Sequence, residues 1–215
     1  LRSLSARHVL RNGRPVTTGR LPSDFPAAFL KTCDLDPMAA QDFTIAANGP
    51  RARIATIARP RFTEWGEVVA EVADGRVVPP QGCTTIAVTF RHGVSEARPR
   101  VGLLQGWGDW RGAFATTVSH DSHNLTVFGG NPDDMALAAN AVIGAGGGMA
   151  VAVDGQVTAL MPLPVAGLVS DAPLDRVAAE FAAVRDAMSD VVDWQPPYLT
   201  FKALEDTQPD DTKVV

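Results

Sequence analysis

The chain has 215 residues, 46% apolar, 20% charged and 7% aromatic, which is enough for one domain with a proper core. Nineteen basic against 24 acidic side chains leave a net charge of −5, so no basic surplus exists to neutralise a nucleic-acid backbone. The longest apolar runs, Met149–Val153 and the Pro-broken Leu160–Val169, fall far short of a membrane span, so no membrane or nucleic-acid partner is expected.

The opening residues LRSLSARHVL lack the apolar core of a signal peptide and carry no initiator Met, so a processed or excised chain is expected. Asn12-Gly13 is a two-residue turn signal between Val9-Leu10 and Pro15-Val16. A Pro-bearing connector runs from Leu21 to about Pro37, with an apolar patch at Phe25–Leu30. Cys33 and Cys83 belong to no CxxC pair, which argues for two reduced thiols in a cytoplasmic protein rather than a disulfide framework or zinc site.

Short alternating or β-branched segments follow: Phe43–Ala47, Arg53–Ala58, Glu67–Val72, Arg76–Val78, Thr85–Phe90, Val101–Gln105, Ala113–Val118 and Leu125–Phe128. Asp74-Gly75 marks a second hairpin. The clearest helix opens with Asn131 as cap, Pro132 in the first turn and Asp133 and Asp134 at the positive end of its dipole. Met135, Ala138, Ala139 and Val142 line one face, and Gly144 is expected to end it. A hairpin, Met149–Val153 and Gln156–Leu160, turns at Asp154-Gly155. After the Pro-rich Pro162–Gly167 a second helix is expected from near Asp171, with Leu174, Val177, Ala178, Phe181, Val184 and Met188 as its stripe. Short strands with late, separate helices predict an α+β fold: mixed, largely antiparallel sheets of short strands with two main helices packed on them.

Gly144–Gly148 has the wrong order for a phosphate loop, since a helix precedes the glycines and a strand follows. A helix-to-strand turn is the better reading. Ser119–Asn124 is more informative. It carries two of the four histidines, His120 and His123, with Asp121, between two strands. Imidazole titrates near neutrality and can donate, accept or bind metal, and Asp121 can fix a tautomer. A functional site and a hydrogen-bonded structural loop both fit this composition. His-x-x-His supplies only two metal ligands, and adjacent Ser, His and Asp cannot converge as a hydrolase triad. His92 ends a strand and is a candidate to join the loop in space. Trp107 and Trp110 fit either stacking on a flat heterocycle or core packing.

These residues resemble one family, the C-terminal domain of adenine deaminase in the amidohydrolase superfamily. The resemblance is carried by Arg91-His92-Gly93, Arg100–Gly108, Arg111–Leu125, Gly130–Ala138, Gly146–Gly148, Leu163–Asp171 and Pro197–Lys202, in order, over about residues 1–203. It implies a remnant of the composite β-domain that accompanies an amidohydrolase barrel at 1–20, a connector at 21–37, the C-terminal domain proper at 38–203 and a loose acidic tail at 204–215. It also implies hydrolytic deamination of adenine to hypoxanthine and ammonia, by a cytoplasmic enzyme of adenine catabolism and purine salvage.

The dinuclear divalent metal centre (Mn, Fe or Zn) would sit in a barrel domain, of which this chain has neither the length nor a His-x-His pair. No metal site is expected in this chain. The partners implied are adenine, that barrel and further copies of the full enzyme as a homo-oligomer. His120, Asp121 and His123 are the candidate residues supporting catalysis, and His92, Ser122 and Asn124 the candidate substrate contacts. Whether they bind or enclose the purine or tune a barrel residue is left open. A non-catalytic partner subunit and a stand-alone small-molecule binding module are the competing readings.

Overall fold

Three Asx-Gly pairs reverse the chain in the same way. Asn12 and Gly13 have φ of 51° and 73°, Asp74 and Gly75 52° and 74°, and Asp154 and Gly155 52° and 76°. Two successive left-handed residues make the type I′ turn, whose twist suits antiparallel strands. The structure, a computed structural model, describes residues 9–16, 25–30, 32–58, 64–93, 97–120 and 122–193. The first turn joins β1 (Leu10–Arg11) and β2 (Arg14–Pro15) in a two-stranded sheet. The second joins β4 (Trp65–Ala73) to β5 (Arg76–Val78), and the third β10 (Gly148–Val153) to β11 (Gln156–Pro162).

With β3 (Arg51–Ile57), β6 (Cys83–Thr89), β7 (Arg100–Gln105), β8 (Ala113–Thr116) and β9 (Leu125–Gly129), the later hairpins form one nine-stranded sheet. Its order is β11-β10-β8-β9-β6-β7-β3-β4-β5, and only β3 and β7 run parallel. The expected α+β class, a mixed and largely antiparallel sheet with two main helices, is the one observed.

Side-chain size sorts the two faces of this sheet. Because successive strand residues point to opposite sides, Ala113, Ala115, Ala150 and Ala152 share one face and Phe114, Phe128, Met149 and Val151 the other. The alanine face lets helix α1 (Pro132–Ala145) sit close, through Met135, Ala138, Ala139 and Val142. On the bulkier face lies α2 (Leu174–Val191), anchored by Val184, Met188 and Val191. β8 and β9 are covered on both sides, and every residue in them is buried.

Helix α1 starts as its sequence dictates. The Asn131 side-chain oxygen accepts the Asp133 N–H at 2.9 Å, with Pro132 in the first turn. It ends two residues later than expected, on left-handed Gly146, so Gly144 lies within it. The glycines then lead straight into β10, a helix-to-strand turn.

Three expectations need correction. Phe43–Ala47 is not a strand. Asp42 accepts the Ala39 N–H at 2.8 Å and closes a 3-10 turn over Ala40–Phe43, leaving Ala46 a single bridge to Arg76. β8 stops at Thr116, whose hydroxyl accepts the Val118 N–H at 3.0 Å and bends the chain out of register. α2 begins at Leu174, after Pro173, and Leu174 is 81% exposed. Its buried stripe is Val184, Met188 and Val191, with Val177 and Phe181 half-buried beside it; Leu174 and Ala178 face outward.

Cys33 and Cys83 are both free thiols. No helix of the described residues is long and apolar enough to cross a membrane. The acidic tail 204–215, the segment Pro197–Lys202 and Asp121 lie outside the described residues.

Candidate functional site

β6 ends at Thr89, and two residues on, Arg91 turns its side chain into the protein, where it is 1% exposed. Its guanidinium reaches three segments that are distant in sequence. Nε donates to the His123 carbonyl, Nη1 to the Thr32 hydroxyl at 2.6 Å and the Thr32 carbonyl at 3.1 Å, and Nη2 to the Ala166 carbonyl at 2.9 Å. The Arg91 carbonyl in turn accepts the Asp34 N–H at 2.8 Å. All of the side-chain acceptors are neutral. A planar fork with five N–H groups can serve such divergent acceptors, whereas a single ammonium cannot.

The histidine loop hangs from this point. The His123 N–H donates to the Ser119 carbonyl at 2.8 Å and the Ser122 N–H to the His120 carbonyl at 3.0 Å, which closes a tight turn. Ser119 and Thr126 hydroxyls meet at 3.0 Å beneath it. The Ser122 hydroxyl accepts the Asn124 N–H at 3.3 Å. His123 takes a left-handed conformation, φ 49°, which histidine tolerates better than bulky or β-branched residues. His120 is exposed, Ser122 and His123 half-buried and Asn124 buried.

His92 joins this loop. Burial lowers its pKa below the ordinary histidine value, and the charges of Arg91 and His123 push the same way, against a hydrogen bond to the Ser122 backbone that favours the protonated form. The structure therefore brings His92, Ser122 and His123 together, with Arg91 behind them, while His120 and Asn124 flank them on the same loop. Among the described residues, His123 Nδ1 and Thr89 Oγ1 are buried polar atoms without a hydrogen-bond partner. Thr89 is paired with Leu125, two residues beyond His123. Buried polar atoms are rarely left unpaired; the His123 nitrogen lies inside the protein, closed to solvent, beside the end of β6.

Both tryptophans belong to the core. Trp107 is fully buried, and Trp110 stacks on Phe128 with ring centroids 6.2 Å apart while donating to the Trp107 carbonyl at 2.9 Å. Among the described residues no three His, Cys, Asp or Glu side chains gather where they could hold a metal ion. Arg91 was not among the candidates drawn from the sequence. Its signals were a basic residue directly after an apolar strand and its place in the Arg91-His92-Gly93 segment that carries the family resemblance.

The chain is thus an α+β domain that presents a histidine-rich loop between β8 and β9, beside the end of β6. The family model for the adenine deaminase C-terminal domain matches residues 60–207, and the chain belongs to that family. It is 61% identical over 208 residues to adenine deaminase 2 of Rhizobium meliloti (strain 1021), covering 94% of this chain and 35% of that protein. It is 46% identical over 216 residues to the adenine deaminase of Klebsiella pneumoniae (strain 342), covering 96% and 36%. It is 39% identical over 201 residues to that of Moorella thermoacetica, covering 85% and 33%. The chain spans about a third of the length of these relatives.

Proposed function

We propose that this domain works beside a metal-binding amidohydrolase barrel in an enzyme that hydrolyses adenine to hypoxanthine and ammonia. The observation that carries this reading is the gathering of His92, Ser122 and His123 in front of Arg91, with His92 exposed at the surface. A neutral imidazole donates through one nitrogen and accepts through the other. The adenine edge likewise offers an N6 amino donor beside an N7 acceptor. His120, Asp121 and His123 support catalysis from this side, and His92, Ser122 and Asn124 contact the purine. The lowered pKa favours the neutral form of His92, which can make such hydrogen bonds.

The described residues of this chain do not fit a metal centre, since they gather no donor set. In this reading a dinuclear divalent centre (manganese, iron or zinc) belongs to the barrel, where it would supply the activated water. The exposed apolar side chains of Phe29, Leu30 and Val169 border the Ala166 turn and give that barrel a surface to cover. The same reading makes the enzyme a cytoplasmic homo-oligomer of purine salvage and adenine catabolism.

The test is complementation. Ammonia release from adenine is measured with this chain alone, with the barrel portion alone and with both, each with added Mn²⁺, Fe²⁺ or Zn²⁺. Activity is expected only when both are present. Metal-dependent deamination by this chain alone would overturn the reading, and so would an unchanged rate from the barrel alone.

A further inference from the structure

We propose that Arg91 is the positioning residue of the histidine loop: its guanidinium fixes the His123 carbonyl, and thereby the left-handed turn that sets where His123 stands against His92. The inference deepens the adenine reading, and its structural part is testable without it.

A buried guanidinium is costly to place. An apolar side chain of similar volume stabilises a core at least as well as most buried ions, so packing alone does not account for an arginine at 1% exposure. Among the described residues its side chain meets no carboxylate. It meets backbone carbonyls of Thr32, His123 and Ala166 and one hydroxyl, from positions 59, 32 and 75 residues away in sequence. What these contacts accomplish is to hold three separate segments in one register.

The fork is itself held on the far side. Gly167 packs against it so closely that a Cβ there would lie 2.8 Å from Cζ and Nη1. The Gly167 carbonyl accepts the Thr117 hydroxyl at 2.6 Å, and that hydroxyl also accepts the Gly148 N–H at 2.8 Å. Thr117 follows β8 directly, so the guanidinium is braced from the sheet itself. On the near side it contacts His123, whose backbone is left-handed. Lysine would keep the charge but lose the fork.

The experiment is residue-resolved hydrogen exchange on the 215-residue chain carrying Arg91→Lys, Arg91→Met or Thr32→Val, with the histidine ring signals titrated in parallel. In Arg91→Lys and Arg91→Met, amide protection at His123 and Ser122 is expected to fall at least tenfold, while Val127 and Phe128 in β9 stay within about twofold. The His92 titration is expected to move up in Arg91→Met and less in Arg91→Lys, which keeps the charge. Thr32→Val removes one hydroxyl acceptor without disturbing the fold and is expected to loosen the same two amides by a smaller factor; it decides the matter if Arg91→Met does not fold. Unchanged loop protection, or an equal loss through β9, would overturn the assignment. In the intact enzyme Arg91→Lys is then expected to lower kcat more than it raises KM. If the loop loosens but kcat/KM is unchanged, the adenine reading of the loop fails while the assignment of Arg91 stands.

Discussion

Asn140, half-buried on α1, clamps the backbone of Met38 with two hydrogen bonds. Its Oδ1 accepts the Met38 N–H and its Nδ2 donates to the Met38 carbonyl, both at 2.8 Å. The clamp fixes the segment that carries Thr32 and Asp34 against the same helix whose other face packs on the sheet. Asn140→Ala leaves both backbone groups of Met38 unpaired and should cost about 1–3 kcal/mol. Asn140→Asp keeps the acceptor and loses the donor, so it should fall between. Urea unfolding of the three forms checks this, and an Asn140→Ala midpoint equal to the parent's would contradict it.

Gly167 admits no side chain for two independent reasons, its φ of 70° and the Arg91 guanidinium beneath it. Gly167→Ala should cost roughly 1–3 kcal/mol from the backbone alone, with displacement of the guanidinium added. Thermal unfolding measures the loss. Gly144→Ala is the control: its Cβ enters open space on a helix, and it should stabilise by up to about 1 kcal/mol.

Burial pushes the Cys33 thiol up to about 11; the Arg91 charge opposes this and the Asp34 charge adds to it. Burial raises Cys83 as well. Cys33 should therefore resist a disulfide-exchange reagent at pH 8 until the chain unfolds, with half-buried Cys83 labelled first. An unfolded thiol ionises near its ordinary 9.0 while the folded one stays neutral, so the contribution of Cys33 is intact below pH 9 and lost as pH rises from 9 to about 11. Mass spectrometry of the labelled chain reads the order, and labelling of Cys33 before Cys83 in the folded chain would contradict it.

The α2 stripe grades its own substitutions. Met188→Ala, at a side chain 1% exposed in the core, should cost about 2–5 kcal/mol. Phe181→Ala, at a half-buried ring, should cost less than the full burial of a phenylalanine would suggest. Leu174→Ala should stay within about 0.5 kcal/mol, since that side chain stands in solvent. Calorimetric midpoints should follow that order, and a Leu174 effect as large as that of Met188 would sink it.

What was legible in the sequence was what local physics decides. Asx-Gly turns, two-residue alternation and the Asn131-Pro132-Asp133 start of α1 each specify geometry within a few residues, and the structure places hairpins and helix there. Phe43–Ala47 misled because alternation is also met by a turn that Asp42 closes on itself. Leu174 misled because helical spacing assigns a face without saying where the sheet beneath that face ends. The loop from Ser119 to Asn124 stood out by composition, and His92 joins it as the chain order alone could only suggest. Arg91 was hidden for a different reason. Most of its acceptors are backbone carbonyls, which every residue possesses, and they are contributed by segments far apart in the chain.

The proposed contribution of the histidine loop to adenine deamination is measured by steady-state kinetics of the intact enzyme carrying His120→Ala or His123→Asn. Asparagine is chosen at His123 because it tolerates the left-handed backbone and leaves the carbonyl that Arg91 binds. Each substitution should lower kcat/KM for adenine at least about tenfold, or about 1.4 kcal/mol of transition-state stabilisation, with the unfolding midpoint nearly unchanged. Full activity in both variants, or loss only in proportion to unfolded protein, would reduce the loop to a hydrogen-bonded turn and contradict the claim.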